Sequence, residues 1–297
     1  MSSLVIFGAD GRIGGQLVPA AVGSFFVHAV TKTKSQNDEM LKELGATPHV
    51  LDLTTASVDD IVKLFKETKA EAVVNCASAD DVRDAKSVKA VDYEGGLKVI
   101  QAAEKAGVPR FLTVSSMGVH DPDKMPGYYS NVSCLASKIM WQSDSAMRPF
   151  LEAKWQLESA LHKTKLKFTV LRPGTLFDNY ETGCRMGALN LVRDGSTVSP
   201  PSLERVLDAM PPTSRELVAQ TLYACLRNED SAGLTLDVVN GHGEISEELS
   251  IMTASKTDVW KEDQKTRDWD EATAKKESED NAEQQKKEHP GPKIVCL

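Results

Sequence analysis

Cysteine is scarce in this 297-residue chain: Cys76, Cys134, Cys184, Cys225 and Cys296 are odd in number and never spaced as CxxC. That scatter excludes a disulfide frame and a cysteine-built zinc site, and it fits reduced thiols in a cytoplasmic protein. The six histidines do not cluster, so no metal is expected. No apolar run approaches the roughly 20 residues that a membrane-spanning helix needs. The chain enters an apolar run at Leu4 without the basic region and cleavage site of a secretory leader. A net charge of -8 offers little to nucleic acid or to an anionic membrane surface. What remains is the 41% hydrophobic composition of an ordinary globular protein, long enough to bury a full core.

Short apolar runs at residues 4–7, 26–30, 49–51, 72–75, 111–114 and 168–171 read as strands. Between them lie segments of helical periodicity, such as Val58-Ile61-Val62-Phe65 and Leu97-Val99-Ile100-Ala103. This alternation predicts an α/β protein with a parallel sheet covered on both faces. Right-handed crossovers then make it a doubly wound Rossmann sheet, with ligands outside the carboxyl ends of the strands. From 176 to 250 the pattern loosens around Pro200-Pro201 and Pro211-Pro212, with a helix over 216–226 and a last strand over 234–239. That stretch is expected to form a small C-terminal lobe on the substrate side of a single domain spanning 1–250. Residues 251–297 are expected to be a charged polar tail, disordered or a solvated helix, because charge dominates from Lys256 onward. Too little apolar surface is left there to offset the entropy of ordering. Trp260 and Trp269 are exceptions that could dock on the body or on a protein partner through 256–297.

The first apolar run, Leu4-Val5-Ile6-Phe7, passes straight into Gly8-Ala9-Asp10-Gly11-Arg12-Ile13-Gly14-Gly15. A buried strand that breaks into glycines and then opens a helix suits a pyrophosphate. The first glycine permits the tight turn, the second lets backbone approach the phosphates, and the third lets the helix pack against the strand. Alone, the glycines also fit a plain strand–turn–helix. Asp10, Arg12 and Ile13 ride in the loop, and Asp10 sets an acid beside the phosphates.

Four features follow in order. Thr31-Lys32-Thr33-Lys34 sets Lys32 where an NAD site would place an acid on the ribose 2′-hydroxyl, which favours NADP over NAD; a solvated lysine pair is the plainer reading. Asp52-Leu53-Thr54 places an acid where it can accept from an adenine amino group, or merely cap a helix. Asn75-Cys76-Ala77-Ser78 ends the fourth strand with small residues, Cys76, Ala77 and Ser78, beside the cofactor. The run from Ala106 to Ser116 supplies a helix, a turn and a buried strand that ends in Ser115 and Ser116.

In this order and spacing the residues resemble the short-chain dehydrogenase/reductase superfamily, in its extended and atypical branches. The matching residues are Gly8, Gly11 and Gly14; Asp52-Leu53; Asn75 to Ser78; Arg110 to Ser116; and Leu171-Arg172-Pro173-Gly174, after which Thr175 completes the cofactor-side set. The likeness runs on through Pro212-Thr213-Ser214-Arg215-Glu216-Leu217-Val218-Ala219 and spans about residues 3–245. It is nearest to small atypical NAD(P)H-binding proteins, which include NmrA-like regulators and flavin/biliverdin-reductase-like enzymes.

The resemblance implies a catalytic Ser, Tyr and Lys. Ser116 takes the serine's place, with Ser115 a near alternative. Lys154 takes the lysine's, to lower the pKa of a tyrosine one helical turn earlier and to bind the nicotinamide ribose. The tyrosine position holds Phe150, which has no proton to give; with Leu157 and Leu161 it also lies on an apolar helical stripe. The long insert between Ser116 and Phe150 carries His120, Asp121, Tyr128 and Tyr129, so any one of these, Tyr128 and Tyr129 foremost, stands as an alternative proton source, against an equally good reading as a surface loop.

Three functions are consistent with these residues. The first is an NADP(H)-dependent oxidoreductase acting on a small organic substrate that needs no strong acid. The second is a non-redox isomerase, dehydratase or rearrangement enzyme. The third is a non-catalytic NADP(H) sensor or assembly factor. Fold alone does not separate them, and a homodimer is left open.

Overall fold

The strands are apolar on both faces, so helices must cover both sides of the sheet they build. The computed structural model describes residues 1–34, 37–119, 140–141, 145–178, 184–187 and 212–261. In chain order the elements begin β1 Ser2–Phe7, α1 Gly14–Ala21, β2 Phe25–Thr31, α2 Asn37–Glu43, β3 Thr47–Val50, α3 Val58–Thr68 and β4 Ala72–Asn75. A continuous helical stretch follows: α4 Ala85–Val88, a π-helical segment Lys89–Gly95 and α5 Gly96–Ala106. Then come β5 Arg110–Val114, α6 Arg148–Leu161, β6 Lys167–Pro173, β7 Thr175–Phe177, β8 Cys184–Gly187 and β9 Pro212–Ser214. The last are α7 Arg215–Arg227, β10 Leu234–Asn240 and α8 Ile245–Ser255.

The main sheet has the order β3-β2-β1-β4-β5-β6-β10-β8, parallel except for β8 against β10. Leu4 pairs with Val27 on one side and Ala72 on the other, so β1 is central and the connection reverses direction between β1 and β4. Carboxyl ends diverge at such a reversal and leave a crevice for a ligand. On one face Leu4, Ile6, Val74 and Leu112 pack with Leu17 and Val18 of α1 and Leu217 and Leu222 of α7. On the other, Val5, Phe7, Val73 and Phe111 pack with Phe65 of α3, Ile100 of α5 and Leu157 and Leu161 of α6.

The six expected parallel strands all form, with β3 ending at Val50 and not Leu51. Two elements expected in the C-terminal lobe belong instead to the main body. β10 pairs with β6, and Leu236 and Val238 enter the same core as α1 and α7. Of the rest of the lobe, β7 pairs with β9, while 179–183 and 188–211 lie outside the described residues.

The polar tail does not begin at 251. Val259 is fully buried, Asp258 accepts a hydrogen bond from the Thr235 N–H at 3.1 Å, and Trp260 stacks on His162 with ring centroids 4.2 Å apart. Two apolar side chains and one buried carboxylate fasten the segment, which the average charge of the region hides. Residues 262–297, Trp269 among them, lie outside the described residues, as do His120, Asp121, Tyr128 and Tyr129. Among the described residues no helix is long and apolar enough to cross a membrane.

Candidate functional site

The glycines of the loop between β1 and α1 fold backbone closely against backbone. Gly8 adopts φ +67°, and a Cβ there would fall 2.9 Å from the Ala77 backbone, so the turn lies directly on the end of β4. A Cβ on Gly14 would come within 2.1 Å of the Gly8 carbonyl oxygen, which only glycine allows. The Gly11 N–H donates to Gly8 O at 3.0 Å and the Gly15 N–H to Gly11 O at 2.8 Å, winding the chain into α1. This glycine cradle beside a helix start fits the pyrophosphate of a dinucleotide. Gly8, Asp10 and Gly11 open into a cleft of about 270 Å³ that continues past Lys32 to Asp52 and Leu53, with Ala77 and Ser78 on its far wall. Arg12, Ile13 and Gly14 complete the loop and do not line the cleft.

Lys32 lines the cleft and is exposed. Asp52 does not cap α3; Ser57 does, in a capping box with Asp60. The Asp52 carboxylate instead accepts from the Thr54 N–H at 2.8 Å and the Thr54 hydroxyl at 2.7 Å. Burial pushes its pKa up, but the two Thr54 bonds and the charges of Lys32 and Lys98 outweigh that and hold it below the ordinary carboxylate value. The turn is pinned from behind, where Lys98 Nζ donates to Leu53 O at 2.6 Å and Ala56 O at 2.9 Å. Gly95 sits so close to the same turn that a Cβ would lie 3.1 Å from Leu53 Cβ.

Lys154 is buried, and its ammonium pairs with Asp92 Oδ1 at 2.9 Å and donates to Val114 O at 3.3 Å. It also lies 5.4 Å from the centroid of the Phe150 ring, so the phenyl occupies the place beside the lysine. Asp92, from the π-helical segment, takes two more donors: the Ser78 hydroxyl at 2.6 Å and the Ala79 N–H at 2.9 Å. π-Helical turns of this kind recur at functional sites. Burial pushes the Cys76 thiol up to about 12 against the pull of Lys154, so Cys76 stays protonated and serves as a small neutral residue.

The serines that end β5 diverge. Ser115 donates to the buried Glu158 carboxylate, which Arg172 grips through Nε at 3.1 Å and a terminal nitrogen at 2.8 Å. Ser116 is half-buried and donates to Met117 O at 3.1 Å. Across the sheet the Gly174 N–H donates to the Thr213 hydroxyl at 2.9 Å, which anchors Pro173, Gly174 and Thr175 to the 212–214 strand.

The cleft therefore gathers Gly8, Asp10, Gly11, Lys32, Asp52, Leu53, Ala77 and Ser78 from the residues expected to bind a cofactor. Lys154 and Ser115 are committed to buried acids. Asp92, Lys98 and Glu158 escape the sequence reading. Glu158 falls one helical turn beyond Lys154, a spacing that places the two on one face; Asp92 and Lys98 carry no local signal.

Comparison with known proteins agrees with this geometry. UPF0659 protein YMR090W of Saccharomyces cerevisiae is 29% identical over 183 residues, 61% of this chain and 72% of that protein. The uncharacterized sugar epimerase YhfK of Bacillus subtilis is 24% identical over 246 residues, 82% of this chain and 97% of that protein. A solved structure of a Bacillus halodurans protein, provisionally assigned as an NAD-dependent epimerase/dehydratase, is similar with a TM-score of 0.65 at 23% identity, covering 84% of this chain and 100% of that one. The family model for NAD(P)H-binding proteins matches residues 8–229, from the first glycine of the cradle to the end of α7 and just beyond. This chain belongs to the NAD(P)H-binding family.

Proposed function

We propose that this protein is an NADP(H)-dependent oxidoreductase that acts on a small organic substrate without a tyrosine acid. The observation that carries this reading is the cleft itself, with a glycine cradle at one end and Lys32, not an acid, at its mouth near Asp52. Gly8 and Gly11 would hold the pyrophosphate, Lys32 a ribose 2′-phosphate, and the Asp52 carboxylate the adenine amino group. The nicotinamide supplies hydride when bound, and the chain positions it against an acceptor. Phe150 gives no proton, and the Lys154 ammonium already donates to Asp92 and Val114. Acceptors that need no strong acid, such as a flavin, a quinone or a conjugated system, suit such a site.

NADPH is expected to bind at least about tenfold more tightly than NADH, the scale of one charge-assisted contact. Lys32→Glu is expected to erase that preference in a fluorescence titration of each nucleotide. Equal affinities in the unaltered protein, or a preference that survives Lys32→Glu, would overturn the NADP assignment. The redox assignment is tested by nicotinamide absorbance with a panel of acceptors. A second reading follows from the name of YhfK: conversion of a nucleotide sugar with no net change in nicotinamide absorbance would support an epimerase and defeat the reductase.

A further inference from the structure

One hydroxyl in the cleft has its polarity set by what lies behind it. Ser78 is exposed on the cleft wall, and its proton points inward to Asp92 Oδ1 at 2.6 Å. Asp92 is only 1% exposed. Three donors from separate places converge on its carboxylate: the Ser78 hydroxyl, the Ala79 N–H and the Lys154 ammonium. A carboxylate paired with an ammonium accepts and does not donate, so in this bond the serine must be the donor. A hydroxyl has one proton. With that proton turned inward, Ser78 shows only lone pairs to the cleft.

We propose that Ser78, oriented by Asp92, is an acceptor-only contact that selects a ribose hydroxyl of the bound dinucleotide and disfavours a phosphate oxygen at the same spot. This rests on the dinucleotide-binding reading above. The position supports a sugar partner. Ala77, the residue before Ser78, lies against Gly8, the first glycine of the phosphate cradle. Each ribose of a dinucleotide hangs directly from the pyrophosphate, so a group one residue along from that contact is within reach of a sugar. Phosphate oxygens have no proton to offer lone pairs, whereas each ribose hydroxyl does. Asp92 acts as a positioning residue, because it touches the ligand only through the serine it orients. The pairing also gives Lys154 a role distinct from direct contact with the ribose: its ammonium bonds the same carboxylate oxygen that Ser78 meets and so fixes that oxygen in place.

The test is a cycle between protein and ligand. Ser78→Ala leaves the Asp92–Lys154 pair in place, and a thermal melt verifies that it folds. NADPH affinity is expected to fall about fivefold, the worth of one neutral hydrogen bond. Ser78→Thr, which keeps the hydroxyl, is expected to restore it. Among nucleotides that lack one ribose hydroxyl at a time, one should bind the unaltered protein as weakly as NADPH binds Ser78→Ala. With that analogue Ser78→Ala should cause no further loss. Unchanged NADPH affinity in Ser78→Ala, or losses that add for every deoxy analogue, would overturn the inference while leaving dinucleotide binding intact. Failure of the unaltered protein to bind any nicotinamide dinucleotide would strike down both.

Discussion

Lys98 binds nothing in the cleft, yet it holds one end of it. Its ammonium spans the Leu53 and Ala56 carbonyls, while the Thr55 and Ala56 N–H groups close back on Asp52 O at 3.1 and 2.8 Å. Removing the ammonium leaves two half-covered carbonyls without their donor, a loss of about 1–2 kcal/mol. Lys98→Met is therefore expected to lower the melting temperature by a few degrees and to weaken NADPH severalfold, with the loss concentrated in the adenylate half. Titration with 2′,5′-ADP and with reduced nicotinamide mononucleotide checks this: the first should weaken and the second should not. Lys98→Arg should recover most of the affinity. Equal weakening of both halves would mean that the lysine supports the fold at large and not the Asp52 turn. Such a residue is illegible in sequence, because its partners lie 45 and 42 positions away and are backbone atoms. Asp92 is hidden for the same reason, since each group on its carboxylate arrives through the fold. The glycines are the opposite case: Gly8, Gly11 and Gly14 contact one another within one loop, so spacing alone reveals them.

At the scale of the element, two adjacent glycines at the start of α1 separate packing from propensity. A Cβ on Gly14 would sit 2.1 Å from Gly8 O and 3.0 Å from Ala9 Cα, both backbone, so nothing flexible can yield. A Cβ on Gly15 would meet only Ala9 O at 3.7 Å, an ordinary contact. Gly14→Ala is expected to push α1 off β1, to cost several kcal/mol in denaturant melts and to abolish NADPH binding. Gly15→Ala is expected to be neutral or stabilising by up to about 1 kcal/mol, from lower entropy in the unfolded chain and better helix propensity. If both substitutions behaved alike, the close approach of α1 to β1 would not be what this glycine serves. Parallel strands and amphipathic helices are legible in the same way, since each repeats its signal along its own length. The body's extension to Lys261 is not, because Val259 and Trp260 are two side chains in a charged stretch and show no periodicity.

At the scale of the whole molecule, the C-terminal turn is fastened across the end of the sheet by a histidine that cannot readily take a proton. His162 lies between the Phe168 and Trp260 rings, and its Nε2 is 3.1 Å from the Thr235 hydroxyl. Burial, and then the nearby charges of Arg172 and Lys261, lower its pKa from 6.5 to about 3. Burial lowers His28 and His49 in the same direction, where the two rings share a 2.9 Å contact between β2 and β3. The unfolded chain therefore takes up these protons first. The stability that His162 contributes is complete above about pH 6.5 and is lost as pH falls from there toward about 3, at up to about 1.4 kcal/mol per pH unit, and His28 and His49 act in the same direction. Asp258 opposes this, because burial raises its pKa and its protonation in the folded state offsets part of the loss. The melting temperature should thus fall progressively on acidification below about pH 6.5. His162→Gln, which keeps a polar group near Thr235 but cannot titrate, should melt lower at neutral pH and show a flatter acid limb. If both proteins lost stability in parallel on acidification, His162 would not be the source of the loss, and other groups with depressed pKa, the pair between β2 and β3 and Asp52 among them, would carry it.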